Sequence, residues 1–337
     1  MSILKPVRGL DPDAYENFAS FCRQDYPEYE IVFCIGDTSD PAYPTLEKIV
    51  RDFPERQIRV LIGSGREAAN DKVAKLVRMT AEAKYHTFAI SDADVRVRPD
   101  YLRSVVAPLS NPKVGAVTCM YISLRDTSFT QRLQSIGMIS DFYPGILVAR
   151  LLDGVKFALG QTIVTTRRHI EGFGGYQTIE NSPGDDLLVG RLIEEQHFEV
   201  VLFPRPVETV ADFQSMGDLL TKRLRWMTVM RHMRPWGHLG LIFTQGLLWS
   251  IVAVAIRPTL ATVILYFGLY AVLRVATTMT VGAWGLHQTN LWKQLLIIPI
   301  WDATASIIWL LSFTRRTITW RKVRYWIRGR TLIPVVE

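Results

Sequence analysis

Three cysteines among 337 residues are too few and too widely spaced to build a framework. Cys22, Cys34 and Cys119 show neither metal-ligand spacing nor an even number for pairing, which argues against zinc and against a disulfide scaffold. Buried thiols in a reducing compartment are expected. The chain also lacks any visible internal repeat or low-complexity linker. Its opening, MSILKPVRG, has no charged n-region followed by an apolar h-region, so no signal peptide is expected and the amino-terminal domain is expected to stay in the cytoplasm. Acidic residues are the minority, 32 against 39 Lys and Arg, for a formal charge of +7. The basic residues crowd beside apolar segments, which suits an anionic membrane surface and not nucleic acid. With 48% hydrophobic residues, the composition allows one good-sized globular domain plus a part that lives in an apolar solvent.

The first part alternates short β-branched runs with helical periodicity. SILKP, EIVFCI, IRVLI and TFAI read as strands, and helices are predicted from about Asp13, through Leu46 and Val50, and through Val73 and Val77. Such βαβα repetition predicts an α/β domain with a mostly parallel sheet covered by helices on both faces. From His238 the character changes. Leu239 to Ile256 is uncharged, Thr259 to Val281 carries only Arg274, and Leu295 to Phe313 carries only Asp302. Two or three membrane segments are predicted, with Arg257-Pro258 interrupting the first, and one of the three is either re-entrant, interfacial or paired in a hairpin turned there. The basic stretches KRLRW and RHMR before them, and RRTITWRKVRYWIRGR after them, both prefer the cytoplasm, so an even number of crossings is expected. Between sheet and spans, Met216, Leu219, Leu220, Leu224, Met227 and Met230 recur at helical spacing among Lys and Arg. That pattern describes an amphipathic helix in the headgroup region, or an ordinary surface helix with a Met-rich buried stripe. The predicted organisation is thus an α/β domain over 1–212, an interface helix over 213–236, a membrane domain over 237–314 and a basic cytoplasmic tail over 315–337.

Asp92 and Asp94 stand one residue apart in FAISDADVRV, directly after the strand Thr87 to Ile90, and Asp37 follows the strand Ile31 to Ile35. All three carboxylates are expected at the carboxyl edge of one sheet, where open α/β sheets bind ligands. Two neighbouring carboxylates repel unless a cation lies between them, and Mg²⁺ or Mn²⁺ takes one or two carboxylates and completes its shell with phosphate oxygens. A nucleotide diphosphate is the natural third party. On its own, Asp-x-Asp equally describes a solvated loop or a helix cap. Asp185 and Asp186 in NSPGDDLLVG open a helix after a Pro-Gly turn, either as an N-cap with a favourable charge on the helix dipole or as the seat of a general base. Arg223, Arg225 and Trp226 are either snorkelling residues or groups that steady a leaving diphosphate and stack on a sugar or acceptor.

Taken in order, SILKPVRGLDP, QDYPEYEIVFCIGDTSDP, SDADVRV, GDDLLVGRLI, KRLRW and ITWRKVRY resemble glycosyltransferase family 21, the ceramide glucosyltransferase family with its bacterial hopanoid-associated relatives, over nearly the whole chain. The resemblance implies a GT-A fold, a UDP-sugar donor and a divalent metal. It implies that Asp37 contacts the uridine, that Asn70 and Lys72 line the nucleotide pocket, and that Asp92 and Asp94 handle metal and sugar diphosphate. Asp186 takes the catalytic-base position. Arg225 and Trp226 match the end of the family's Gln/Arg-x-x-Arg-Trp motif, whose first position here is Lys222. Many members carry a span ahead of the first strand, whereas this chain opens inside that strand at Ser2.

The expected activity is inverting transfer of a hexose, UDP-glucose favoured, to the hydroxyl of a membrane lipid. Ser140 to Thr162 is apolar enough to line a lipid-facing groove, and ceramide and a hopanoid compete as acceptor, with diacylglycerol third. A processive polysaccharide synthase would need more spans than these, and a non-catalytic membrane scaffold would not need the full set of carboxylates.

Overall fold

The computed structural model describes residues 1–210, 215–289, 291–320 and 323–335. By its internal contacts the chain divides into two units, 1–124 with 153–212, and 125–152 with 213–337. In chain order the first unit opens with β1 (Ser2–Pro6), α1 (Ala14–Cys22), β2 (Glu30–Ile35), α2 (Tyr43–Asp52), β3 (Gln57–Ile62), α3 (Asp71–Glu82) and β4 (Thr87–Ile90). It continues with β5 (Val95–Arg96), α4 (Tyr101–Val106) and β6 (Val114–Ser123). After α5 (Phe129–Gly137) and α6 (Tyr143–Asp153), which group almost wholly with the second unit, come β7 (Ile163–Thr166), α7 (Arg167–Gly172), α8 (Asp185–Glu194) and β8 (Glu199–Thr209).

The eight strands form one sheet in the order β3-β2-β1-β4-β7-β6-β8-β5. The pairs β3/β2, β2/β1, β1/β4 and β6/β8 are parallel, and β7 and β5 pair antiparallel with their neighbours. Every residue of β1 and β2 is buried, the signature of strands covered on both faces, which is why they read as continuous apolar runs without alternation. The core gathers Ile3, Ile31, Phe33, Leu46, Ala89 and Val117, with Phe18 edge-on to Phe33 at 5.1 Å between ring centres. Helix α3 starts where Asn70 accepts a bond from the Val73 amide and buries Val73, Leu76 and Met79 on one stripe. The parallel strands β1, β2 and β4 run in register, so their carboxyl ends, and the loops bearing Asp37 and Asp92, open on one edge.

In the second unit, α9 (Met216–Met233) is followed by α10 (Pro235–Gly240), α11 (Gly246–Ile256), α12 (Leu260–Thr278) and α13 (Ile298–Thr314). Three helical stretches are long and apolar enough to cross a membrane: Phe129–Asp153, Leu260–Gly285 and Leu291–Thr314. Pro235–Thr244 with Gly246–Ile256 makes a fourth if that pair, bent by 56°, counts as one span. The first predicted run therefore breaks at Gln245, which is buried and accepts from the Ser306 hydroxyl, as well as ending at Arg257-Pro258. Phe129–Asp153 lies inside the span 1–212 expected for the α/β domain yet groups with the helices.

The carboxyl-terminal stretch expected as a basic tail folds as an antiparallel sheet, β9 (Thr317–Trp320), β10 (Val323–Arg328) and β11 (Thr331–Pro334). Its alternation buries Ile318, Tyr325, Ile327 and Leu332 and leaves Arg324 and Arg328 outside, and Gly329, at φ 59, begins the two-residue hairpin turn. Helix α9 also departs from a simple snorkelling pattern. Arg223 is buried, donates to Gln134, and stacks on Trp226 and Trp301 at 5.0 and 4.7 Å. Asp212, Phe213 and Gln214, at the predicted junction of domain and interface helix, lie outside the described residues.

Candidate active site

Lys72 sits in the first turn of α3, and its ammonium lies 2.7 Å from Asp92 Oδ1 and 3.3 Å from Asp185 Oδ2. Asp92 comes from the loop after β4 and Asp185 from the first residue of α8, so three separate elements meet at one cation. Asp186 follows on the same helix. Its Oδ2 accepts from the Gly160 amide at 3.1 Å and its Oδ1 from the Leu187 amide at 2.8 Å. A Cβ placed on Gly160 would stand 3.2 Å from Lys72 Nζ, 3.3 Å from Asp92 Oδ2 and 3.4 Å from Asp186 Oδ2. The three charged groups thus converge on one small space that glycine leaves open. The segment bearing Gly160 is held against α8 at Gly190, where any Cβ would come within 2.1 Å of the Phe157 carbonyl carbon. In addition, Leu159 and Thr118 exchange a bond through the Leu159 amide and the Thr118 hydroxyl at 2.8 Å.

The electrostatics follow from crowding. Burial alone would lower the Lys72 pKa, but Asp185, Asp92 and Asp186 around it raise it above the usual lysine range, so it stays charged. Desolvation and the adjacent Asp185 push the Asp186 carboxyl up to about 6, with Lys72 opposing. Behind the Asp92–Asp94 loop lies Lys5, fully buried in β1, with Nζ 2.7 Å from the Asp92 carbonyl oxygen and 3.3 Å from Ser91 Oγ. Burial brings its pKa down to about 7, against the pull of Asp94 and Asp92.

The predicted residues divide accordingly. Lys72, Asp92 and Asp186 are brought together. Asn70 is close by but fully buried, capping α3 and donating to the Ser182 carbonyl at 2.9 Å and to Asp185 Oδ1 at 3.3 Å. Its side chain thus holds the start of α3, which carries Lys72, and reaches Asp185. Asp37 is exposed at the end of β2 and bonded to the Ser39 amide at 2.7 Å and to the Ser39 hydroxyl, which lower its pKa. Asp94 is half-buried, and its carbonyl accepts from the Val210 amide at 3.2 Å. Arg225 and Trp226 lie on α9 in the other unit, with Arg225 over the Trp320 ring at 5.5 Å and Lys222 over the Trp226 ring at 5.6 Å. Gly160 and Lys5 were not legible as site residues. Gly160 lies in a stretch read as apolar lining, and Lys5 in a strand where one lysine looks like an edge residue.

Among the described residues no three His, Cys, Asp or Glu side chains gather as a metal site. The donor set nevertheless fits a divalent ion that takes its remaining ligands from a diphosphate. Asp92 Oδ2 accepts no protein hydrogen bond among the described residues, and Asp94 lies two positions away. The arrangement sets one cation, Lys72, and the carboxylates of Asp92 and Asp186 around one open space, with the Asp186 carboxyl pushed up to about 6.

Comparison with known proteins agrees with this architecture. A family model described as glycosyl transferase family 21 matches residues 1–333. Ceramide glucosyltransferase 3 of Caenorhabditis elegans is 23% identical over 344 residues, 95% of this chain and 71% of that protein. Ceramide glucosyltransferase 1 of the same organism is 21% identical over 339 residues, 96% and 71% of the two chains. A ceramide glucosyltransferase of Gibberella zeae is 44% identical over 54 residues, and the match spans only 10% of its length. Among solved structures, a mannosyltransferase from Pyrobaculum calidifontis in complex with GDP-Man and Mn2+ superposes with a TM-score of 0.54 at 17% identity, over 92% of this chain and 86% of that one, a likeness of GT-A fold. With its model matched from the first residue almost to the last, the chain belongs to glycosyl transferase family 21.

Proposed function

We propose that the protein transfers a hexose from a UDP-sugar, UDP-glucose first, to the hydroxyl of a membrane lipid, ceramide first, with inversion at the anomeric carbon. The observation that carries this reading is the convergence of Lys72, Asp92 and Asp186 on the space at Gly160. Asp186 removes the proton from the lipid hydroxyl, whose oxygen attacks the anomeric carbon. The bond to the diphosphate breaks, and UDP departs with the electron pair. Asp37 holds the uridine, and Lys72 meets the phosphates. Arg225 stabilises the departing diphosphate and Trp226 stacks on the sugar or acceptor, as their places in the family motif imply. Asp92 and Asp94 would hold a divalent ion, which when bound neutralises charge on the diphosphate. The basic stretches flanking the apolar helices support a catalytic unit that faces the cytoplasm.

Asp186→Asn tests the assignment. Donor affinity is expected to stay within a few-fold of the parent while transfer falls by about 10²–10⁴, the usual contribution of a general base. Parent-level turnover in this variant rejects the role.

A further inference from the structure

Phe129–Asp153 is long and apolar enough to cross a bilayer, with 25 helical residues spanning about 37 Å at 1.5 Å each. The strands on either side of it forbid the crossing. Before it, β6 is hydrogen-bonded into the sheet, and the Leu124 amide donates to the Thr209 carbonyl at 2.9 Å. After it, the Ala158 amide donates to the Asp186 carbonyl at 3.3 Å, and β7 pairs with β6 at Ala116–Thr165 and Val117–Val164. Phe129 follows Leu124 by five positions, and Ala158 follows Asp153 by five. Fully extended, five residues reach about 18 Å, short of a hydrocarbon core of about 30 Å. Both helix ends are therefore tethered to one water-facing unit and must lie on the same side of the membrane.

We propose that this helix is monotopic. It lies along one leaflet and does not cross, with Leu147, Val148, Leu151 and Leu152 seated at the boundary of headgroups and acyl chains. These four residues, spaced i, i+1, i+4 and i+5, form one stripe, and Leu151 and Leu152 are 84% and 80% exposed. Earlier along the helix Leu133, Ile136, Ile139, Tyr143 and Ile146 are buried. Lipid is the occupant the chain itself points to. The same unit carries the apolar stretches Leu260–Gly285 and Leu291–Thr314, which already place it at a bilayer, and exposed Arg150 beside the stripe suits an anionic headgroup.

The test uses the full chain in sealed vesicles of phosphatidylcholine and phosphatidylglycerol. The native thiols are buried, so single additions report cleanly. Thr127→Cys and Asp153→Cys flank the helix, and Asp25→Cys marks the catalytic unit. A membrane-impermeant maleimide is expected to label all three from one side only. Labelling of Thr127→Cys and Asp153→Cys from opposite sides overturns the proposal. A fluorophore on Leu151→Cys is expected to shift to the blue in vesicles and to be quenched by a headgroup-level spin label more than by one at the acyl terminus. Quenching strongest at the acyl terminus, or a blue shift that follows protein concentration and not lipid, contradicts it, the latter marking a second copy as the occupant.

Discussion

Two clusters of opposite charges in this chain are built on different balances. At the carboxyl edge of the sheet, Asp92, Asp94, Asp185 and Asp186 outnumber Lys72 and the deeply buried Lys5. Among the apolar helices two carboxylates face two arginines: Arg274 pairs with Asp302, to which Tyr270 donates at 2.7 Å, the Ser140 carbonyl accepts from Arg274, and half-buried Asp141, 3.4 Å from the Trp301 indole nitrogen, lies within the fields of Arg274 and Arg223. The charges of the second cluster balance within the protein. A surplus of carboxylates costs stability and persists where a cation or a proton in transit uses it, so charge imbalance, and not charge density, separates a site from a strut.

Neutral replacement separates the two most sharply. Arg274→Met alone leaves Asp302 stranded and is expected to cost about 3–5 kcal/mol, whereas Arg274→Met with Asp302→Leu should restore both thermal stability and transfer. Lys72→Met with Asp185→Leu is expected to keep the fold yet lose at least about 10²-fold in transfer, because the cluster's electrostatics serve the reaction. Recovery of activity in that second pair would erase the contrast.

Removing one surplus carboxylate should have the next largest effect. Asp94→Ala is expected to lose metal-dependent donor binding while its thermal stability without donor stays near the parent's, and EDTA should reproduce the defect in the parent. Full activity of the variant in EDTA would return Asp94 to a purely local loop role.

The raised Asp186 pKa sets a pH limb. The base must be ionised, so transfer should fall about tenfold per unit below about 6 and level off above it, and Asp186→Asn should abolish that limb along with the rate. Because the folded state holds this proton more tightly than the unfolded chain, the group's contribution to stability declines as pH rises from about 3.8 to about 6. A rate flat down to pH 4 would remove Asp186 from the proton's path. Smallest is the cap. Measured by denaturant titration, Asn70→Ala should lower stability by about 1 kcal/mol, and Asn70→Asp should not restore it, because a buried carboxylate there would face Asp185 and the Ser182 carbonyl in place of the amide that donates to them.

The same contrast bears on what a sequence makes legible. Strands β1 to β4 and helices α1 to α3 follow from β-branched runs and 3.6-residue periodicity because both are local. Asp92 and Asp186 were legible because each stands at an element boundary, where a charge is conspicuous. Gly160 was not, since its meaning is the absence of a side chain at a point where three distant segments meet. Lys5 and Arg223 hide for a related reason. A buried cation looks like a surface one until its partners, the Asp92 carbonyl or Gln134 and two tryptophans, are in place. The strands β9 to β11 were masked by arginines, whose charge reads as a tail although their alternation with Ile318, Tyr325 and Ile327 is that of a half-buried sheet.

The most direct test of the central claim is the product. Membranes carrying the protein are incubated with labelled UDP-glucose, UDP-N-acetylglucosamine and GDP-mannose, each with ceramide or a hopanoid, and the product is identified by mass and anomeric configuration. One hexose from UDP-glucose joined to the ceramide hydroxyl with inverted configuration is the expected result. A retained configuration, a ladder of oligomers, or transfer from none of the three donors would contradict it.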